Sequence, residues 1–262
     1  MKIIRYQKDD EIKKGILKEE TIYELKGDVF SNFSAGQKIG KLEEVKLLAP
    51  VKPPNIIAIG LNYKQHALET GAEIPERPVI FLKATSSITG PDSEIILPKL
   101  APAEVDYEAE LAVVIAKKAK NIETVEVDDY ILGYSCANDV SARDCQKKLD
   151  KQWARGKSFD TFCPLGPWIE TEVVPDDLKI KSVLNGEIMQ ESRTSDMIFN
   201  IEQLVSYLSH NMTLLPGTVI LTGTPEGVGF AREEKVFLRD GDQIKIEIEG
   251  IGSLENTVTK EI

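Results

Sequence analysis

The stretch VDYEAELAVVIAKKA, residues Val105–Ala119, predicts a buried strand that carries a pair of charges near its start. Its centre is rich in Val, Ile and Leu, which is typical of a strand covered on both faces. Glu108 and Glu110 lie two residues apart, so both carboxylates point to one face, about 6.5 Å apart along the strand. Such charges repel each other, and burying them unpaired would cost several kcal/mol. The stretch therefore predicts a compensating cation beside the two glutamates.

A third carboxylate, Asp139, is the best candidate to complete a cation site. It closes the predicted strand Tyr130–Asp139 (YILGYSCAND), just before a predicted helix. Three carboxylates with no nearby cysteine or second histidine form an all-oxygen set, which suits Mg²⁺ or Mn²⁺ better than Zn²⁺. The spacing alone leaves the alternative equally open, namely ion pairs between these acids and Lys or Arg at a strand edge.

Composition and charge narrow the classes of protein that the chain can belong to. The 262 residues carry a net charge of −11 without a basic run, which repels nucleic acid and anionic membrane surfaces. The opening MKIIRYQKDDEIKK lacks the apolar core of a signal peptide, and no uncharged apolar run reaches the roughly 18 residues of a membrane span. We therefore expect a cytoplasmic protein without nucleic-acid or membrane partners. The three cysteines form no CxxC pair, which predicts reduced thiols.

The order of the predicted elements divides the chain into a small and a large unit. Short strand-like pieces (MKIIRY, KGILK, ETIYEL) precede PVKPPN, residues Pro50–Asn55, whose prolines favour extended structure. We predict a small N-terminal β domain over residues 1–52, hinged to a catalytic domain over residues 53–262. The larger unit is predicted to be mostly β with some α, an α+β arrangement.

The predicted helices are recognised by the residues at their ends. NYKQHALETG, residues Asn62–Gly71, is predicted to form a short helix with the final glycine as its C-cap. NIEQLVSYLSH, residues Asn200–His210, combines a capping box with an apolar stripe at helical spacing. A further helix is predicted to start at Ser141 as its N-cap, with Asp144 at the reciprocal capping-box position.

His66 and Glu69 form a candidate base. They lie three residues apart in the first predicted helix, and side chains at this spacing share a helix face. A carboxylate beside an imidazole orients it and raises its basicity, as a general base for water requires. Taken alone, the HxxE pattern is more often a solvated histidine on a surface helix.

Arg143, Gln146 and Lys157 form a candidate receptor for a substrate carboxylate. Arg143 and Gln146 share a face of the helix predicted after Asp139, and Lys157 follows in GKSFDTFCPLGP. Cations and an amide near a helix start can hold a carboxylate, although a solvated basic face is the commoner meaning of such a cluster. The glycine-rich TGTPEGVG has neither the Lys-Ser/Thr of a P-loop nor a GxGxxG pattern, so a nucleotide is not expected.

The order and wording of these motifs identify a resemblance that the single motifs do not. Over roughly residues 52 to 260 the chain resembles the fumarylacetoacetate hydrolase family. The motifs that carry this resemblance are GLNYKQHALETG, VIFLKATSSITGP, VDYEAELAVVI, ILGYSCANDVSARDCQ, ARGKSFDTFCPLGP, LNGEIMQ, LLPGTVILTGTPEGVG and GDQIKIEIEGIGSLENTV.

The resemblance implies a fold, a cofactor and an assembly. The fold would be a mixed β-sandwich roll of the family's C-terminal type, behind a small N-terminal β domain, in a homodimer. One Mg²⁺ or Mn²⁺ per subunit would be held by Glu108, Glu110 and Asp139. By matching motifs, the catalytic residues would be His66, Glu69 and Lys157. The substrate-binding residues would be Arg143, Gln146 and Thr224.

The resemblance also implies a divalent-metal-dependent enzyme acting on small 2-oxo (diketo) acids. We expect hydrolysis of the C–C bond of an acylpyruvate-like substrate through a metal-bound pyruvate enolate, because the complete HxxE pair suits a step that activates water. Oxaloacetate decarboxylation and isomerisation of a 2-hydroxy-dienedioate are alternatives that would use the same site. A non-catalytic protein in which the cation stabilises the fold or a ligand site is a more distant alternative.

Overall fold

The structure, a computed structural model, describes residues 1–149 and 152–262. The chain is mostly β, as predicted. Its strands are β1 (Lys2–Lys8), β2 (Glu11–Lys18), β3 (Thr21–Gly27), β4 (Phe33–Lys41), β5 (Lys46–Leu48), β6 (Ile56–Gly60), β7 (Val79–Lys83), β8 (Ile88–Thr89), β9 (Glu94–Leu97), β10 (Val105–Asp106), β11 (Ala109–Ile115), β12 (Ile131–Asn138), β13 (Ser141–Ala142), β14 (Cys163–Glu170), β15 (Lys179–Leu184), β16 (Glu187–Arg193), β17 (Val219–Leu221), β18 (Gln243–Ile248) and β19 (Gly252–Lys260).

The helical segments are short and lie between the strands. The α-helices are α1 (Lys64–Thr70), α2 (Trp153–Lys157) and α3 (Ile201–Asn211), and a π-helix spans Asp144–Leu149. The 3₁₀ segments are Leu42–Glu44, Thr85–Ser87, Thr124–Tyr130, Thr194–Asp196 and Gly229–Ala231. No helix in the described part of the chain is both long and apolar enough to cross a membrane.

Two mixed sheets and one short strand pair organise the described residues. The larger sheet runs in the order β4-β3-β2-β1-β14-β12-β11-β17-β6-β7, with β5 joined to β1 and β8 to β14. The second sheet runs β16-β15-β18-β19-β9, and β10 pairs with β13. Parallel and antiparallel pairs occur together in both sheets, as the expected mixed β architecture requires.

Strand β11 lies inside the large sheet and is buried along its whole length. Leu111 and Val113 pack into one hydrophobic cluster, whereas Ala112 and Val114 pack into another on the opposite face. Because both faces are covered, the strand is a continuous apolar run rather than an alternating one. The buried strand predicted from the opening stretch is therefore confirmed.

The N-terminal strands continue the large sheet instead of forming a separate one. β1 pairs with β14 through Lys2↔Glu170 and Ile3↔Ile169, and Ile3 belongs to the same hydrophobic cluster as Ala112. The predicted boundary at residue 52 concerns whether the two parts of the chain are separate domains, and it stays a prediction.

The capped helices form where they are predicted. Helix α1 ends at Gly71, which adopts the left-handed conformation with φ 63° that favours glycine. Helix α3 has both hydrogen bonds of the capping box between Asn200 and Gln203. His210 lies in the last turn of α3, and its Nδ1 is 2.9 Å from the carbonyl oxygen of Ser206, outside the candidate site.

The predicted N-cap role of Ser141 is wrong. Ser141 belongs to β13 and pairs with Asp106 of β10, and its hydroxyl donates to the carbonyl oxygen of Asp139 at 3.0 Å. The helix that follows is a π-helix, and Asp144 accepts from the backbone N–H of Cys145 at 2.8 Å instead of reaching back to Ser141. Strand pairing next to the buried carboxylates outweighs the local capping preference.

Candidate active site

Three carboxylates converge where β11 begins and β12 ends. The antiparallel register pairs Ala109 with Asn138, so Glu108 and Glu110 lie beside Asp139. One carboxylate oxygen from each of these three residues lies within 4.8 Å of the other two. The residues are only 6%, 1% and 0% exposed, in the order Glu108, Glu110, Asp139. We call these three residues the floor carboxylates, and they are the three predicted as metal ligands.

Lysine and arginine side chains pair with two of the floor carboxylates. Lys157 Nζ lies 2.6 Å from Glu108 Oε2 and 2.6 Å from Asp139 Oδ2. Lys83 Nζ lies 2.5 Å from the other oxygen of Asp139, and Arg143 Nη2 lies 2.7 Å from Glu108 Oε1. Ion pairing, the alternative to metal binding, is therefore present at Glu108 and Asp139.

Glu110 differs from its two neighbours. It accepts a hydrogen bond from the backbone N–H of Gly223 at 2.8 Å, and no lysine or arginine within residues 1–149 and 152–262 forms an ion pair with it. Burial, together with the charges of Asp139 and Glu108, raises the pKa of Glu110 well above its usual value. One carboxylate of the three is left without a balancing positive charge.

The pKa of Glu108 is shifted in the opposite direction to that of Glu110. Burial alone would raise its pKa, but the charges of Lys157 and Arg143 outweigh burial and lower the pKa of Glu108 to about 2. Glu108 is thus ionised at neutral pH beside an uncompensated Glu110. A buried all-oxygen set in which one carboxylate has no ion-pair partner among the described residues is an environment that hard divalent cations favour, so these residues fit a divalent cation.

His66 and Glu69 meet on α1 as predicted. His66 Nδ1 lies 3.0 Å from Glu69 Oε2, and the other carboxylate oxygen accepts from the backbone N–H of Gly227 at 2.8 Å. His66 is 7% exposed and lines the same cavity as Glu108 and Glu110, so it is not a solvated surface histidine. A proton on Nδ1 facing Glu69 leaves Nε2 as the basic nitrogen.

The residues predicted to contact substrate also line this cavity. Arg143 donates from Nη1 to Gln146 Oε1 at 2.9 Å, so the predicted proximity of these two side chains is present. Thr224 donates to the carbonyl oxygen of Ala109 at 2.9 Å and accepts from Gln190 Nε2 at 2.8 Å. The cavity measures about 280 Å³, near the lower end for ligand pockets, which favours a small substrate.

Asp106 is a buried site residue that the sequence reasoning missed. It accepts from Arg143 Nε at 2.9 Å and from the backbone N–H groups of Gly229 and Phe230 at 2.8 and 3.0 Å. It thereby joins Arg143 to the loop after β17. The sequence contains a signal for this residue. Asp106 precedes Glu108 by two residues, the same interval that separates Glu108 from Glu110 and that places side chains on one face of a strand.

Lys83 was also missed. It ends β7, and its side chain is fully buried against Asp139. A lysine closing the apolar run VIFLK is a usable signal, because lysine is rarely buried without a partner. Its partner lies 56 residues along the chain, which no local pattern reveals.

Comparison with known proteins identifies the family. Residues 55–259 match the family described as "Fumarylacetoacetate (FAA) hydrolase C-terminal", and residues 1–50 match "Rv2993c-like, N-terminal". The chain belongs to the fumarylacetoacetate hydrolase family. This confirms the resemblance and the fold class expected from the sequence motifs.

Relatives in this family carry names of isomerases and tautomerases. The chain is 48% identical over 219 residues to Oxaloacetate tautomerase Fahd2a, mitochondrial, of Rattus norvegicus, covering 82% of this chain and 70% of the relative. A crystal structure of 5-carboxymethyl-2-hydroxymuconate delta-isomerase from Mycobacterium smegmatis shares 42% identity, with a TM-score of 0.90 over 100% of both chains. The 2-hydroxyhepta-2,4-diene-1,7-dioate isomerase of Mycobacterium marinum shares 40% identity, with a TM-score of 0.89 over 100% of this chain and 99% of that one.

Proposed function

We propose that the protein is a divalent-cation-dependent enzyme that interconverts the keto and enol forms of a small 2-oxo acid such as oxaloacetate. The observation that carries this proposal is that His66, paired with Glu69, lines the same cavity as Glu108 and Glu110. An imidazole oriented by a carboxylate is suited to moving one proton between a carbon and an oxygen. Relatives named for tautomerase and isomerase reactions, which also shift a proton, support the choice.

The floor carboxylates are proposed to hold the cation, with Mg²⁺ or Mn²⁺ as the ion. When bound, the cation would supply Lewis acidity to the 2-oxo group of the substrate. Lys157 and Arg143 are proposed to keep Glu108 ionised through their ion pairs with it, and to attract the substrate carboxylate. Gln146 and Thr224 offer further polar contacts in the cavity.

His66 is proposed to carry the proton. In the direction from keto to enol, Nε2 removes a proton from C3 of the substrate as the C2–C3 double bond forms, and then gives that proton to the 2-oxygen. Glu69 keeps Nε2 directed inward by accepting from Nδ1, and its second oxygen is held by Gly227. The number of protons is unchanged over the reaction, as a tautomerisation requires.

Hydrolysis of the C–C bond of an acylpyruvate is the second candidate, and the same histidine supports it. Water positioned by His66 and Glu69 would attack the distal carbonyl, and pyruvate and a carboxylic acid would leave. Decarboxylation of oxaloacetate needs no attacking water and would place no demand on His66. The three reactions therefore differ in their products and in their dependence on one side chain.

The test is a panel of substrates with purified protein and Mg²⁺ or Mn²⁺, each repeated with EDTA. Loss of the ultraviolet absorbance of enol-oxaloacetate, without release of pyruvate, supports the tautomerase. Metal-dependent release of pyruvate from acetylpyruvate supports the hydrolase, and its release from oxaloacetate supports the decarboxylase. If no substrate reacts while the metal still raises the melting temperature, the protein is a non-catalytic cation-binding member of the family.

Three further predictions concern the oligomeric state of the protein, its cellular location and its folding units. We expect a homodimer in solution, which light scattering tests. We retain a cytoplasmic location as a prediction, although the rat relative is named as mitochondrial.

We also retain residues 1–52 and 53–262 as separate folding units. Expression of 53–262 alone, followed by a melting curve, tests whether that unit folds without the strands that pair with β14.

A further inference from the structure

Lys147 lies on the π-helix at the mouth of the cavity. Its Nζ is 3.4 Å from the centroid of the Phe230 ring, and both residues line the cavity that Glu108 and Glu110 also line. Phe230 is held in place by its backbone N–H, which donates to Asp106 at 3.0 Å. An ammonium group on an aromatic face keeps a defined position through a cation–π contact, and it keeps its hydrogen-bond donors for another partner.

The other cations around the cavity are already paired with carboxylates. Lys157 is shared between Glu108 and Asp139, and Arg143 pairs with Asp106 and Glu108. Lys147, by contrast, forms no ion pair with any carboxylate in residues 1–149 and 152–262. Partial burial and the charge of Arg143 lower the pKa of Lys147 to about 8, which is typical of a cation without a balancing anion.

The next residue provides an internal contrast. Lys148 lies on the same π-helix, but it pairs with Glu104 and does not line the cavity. The two lysines have the same side chain and nearly the same position in the sequence. They differ in whether the ammonium group already forms an ion pair with a carboxylate of the protein.

We propose that Lys147 determines specificity by binding the second carboxylate of a 2-oxo dicarboxylic acid. The inference rests on the proposed function, in which the 2-oxo end of the substrate lies at the floor carboxylates. An acid with a second carboxylate supplies the anion that Lys147 lacks, with the ring of Phe230 beside it. A 2-oxo acid with an apolar or neutral far end gains nothing from Lys147. The preferred substrates are therefore short 2-oxo diacids.

The experiment compares Lys147→Met with the matched control Lys148→Met in the metal-loaded protein. Turnover is measured with oxaloacetate and with its 4-monomethyl ester, which has the same skeleton without the second charge. Losing a hydrogen bond to a charged group should raise KM for oxaloacetate about tenfold in Lys147→Met and leave KM for the ester unchanged. Lys148→Met should change neither value, and Lys147→Arg should restore most of the affinity for oxaloacetate.

Binding calorimetry with unreactive acids separates this inference from the proposed function. Wild-type protein should bind 2-oxoglutarate more tightly than 2-oxopentanoate, and Lys147→Met should remove that preference. If this holds while no substrate of the panel turns over, the proposed reaction fails and the role of Lys147 stands. If Lys147→Met weakens both acids equally, or neither acid, with an unchanged melting temperature, the role of Lys147 is overturned.

Discussion

The floor and the rim of the cavity are built in different ways. The floor consists of Glu108, Glu110 and Asp139, which strand pairing brings together at the ends of β11 and β12. The rim consists of His66 and Glu69 on α1, Lys147 on the π-helix and Phe230 on a 3₁₀ segment. The floor is almost fully buried, and two of its three carboxylates are ion-paired, whereas His66 and Glu69 on the rim are held by hydrogen bonds.

In the proposed function, this difference fits different tasks for the two regions. A floor fixed by the sheet register can hold a cation with constant geometry, because moving one carboxylate would require the strands to shift. The rim can move a proton and select a substrate, and its side chains can be changed one at a time. The loop after β17 joins the regions, because the backbone N–H of Gly223 donates to Glu110 and that of Gly227 donates to Glu69.

The largest effect is expected from Glu110→Gln, which removes a floor carboxylate with little change in shape. Loss of an outer-shell partner of a metal site typically costs about 10- to 100-fold in affinity or activity, and loss of a ligand should exceed that. We expect metal-dependent turnover to vanish and calorimetry to detect much weaker Mn²⁺ binding. Glu94→Gln, on an exposed position of β9, is the control. A fully active Glu110→Gln variant with unchanged Mn²⁺ affinity would refute the ligand assignment.

His66→Ala tests the rim. We expect turnover to fall by about 10²- to 10⁴-fold, the range for loss of a general base, while Mn²⁺ affinity stays unchanged. His210→Ala is the matched control, because that histidine lies at the end of α3 and contacts Ser206 instead of the cavity. Loss of Mn²⁺ binding in His66→Ala would mean that the rim and the floor are not separate in function.

Glu69→Gln is a smaller change on the rim, because it leaves His66 in place. The amide oxygen can still accept from the backbone N–H of Gly227, so the loop should keep its place, but the charge beside His66 is lost. We expect turnover to fall by about 10- to 100-fold, less than in His66→Ala. The exposed Glu73→Gln is the control. Equal losses in Glu69→Gln and His66→Ala would show that orientation by Glu69 is indispensable.

The smallest expected effect is on stability in EDTA. Because the folded state raises the pKa of Glu110 above its usual value of 4.5, the unfolded chain releases this proton first as the pH rises. The metal-free wild type should therefore lose stability relative to Glu110→Gln from about pH 4.5 upward, by a few degrees in melting temperature. Adding Mn²⁺ should stabilise the wild type more than Glu110→Gln, because the variant binds the ion more weakly. A pH-independent difference between the two melting curves would contradict an uncompensated Glu110.

Much of the floor could be predicted from the sequence because its signals are local. The interval of two residues between Glu108 and Glu110 places both on one face, and Asp139 closes a recognisable strand. The helices with complete end signals, α1 and α3, form as predicted. The His66–Glu69 contact follows from helical spacing, but its burial in the cavity does not.

The incorrect and missed residues share a physical cause. Ser141 has the chemistry of an N-cap, yet a strand partner and the carbonyl oxygen of Asp139 take its backbone and its hydroxyl. Lys83 and Asp106 act through partners 56 and 37 residues away. Local preferences of about 1 kcal/mol cannot predict such contacts, because tertiary partners compete for the same polar groups.

The family follows from the order of the sequence motifs, and the mostly β fold and the shared face of Glu108 and Glu110 follow from strand periodicity, which depends only on neighbouring residues. The charge balance among the three carboxylates follows only from the tertiary structure. Lys157 and Arg143 pair with Glu108, whereas Glu110 receives only a backbone N–H. Which cation reaches which carboxylate depends on how distant segments pack, and that packing leaves Lys147 without a carboxylate partner in the described part of the chain.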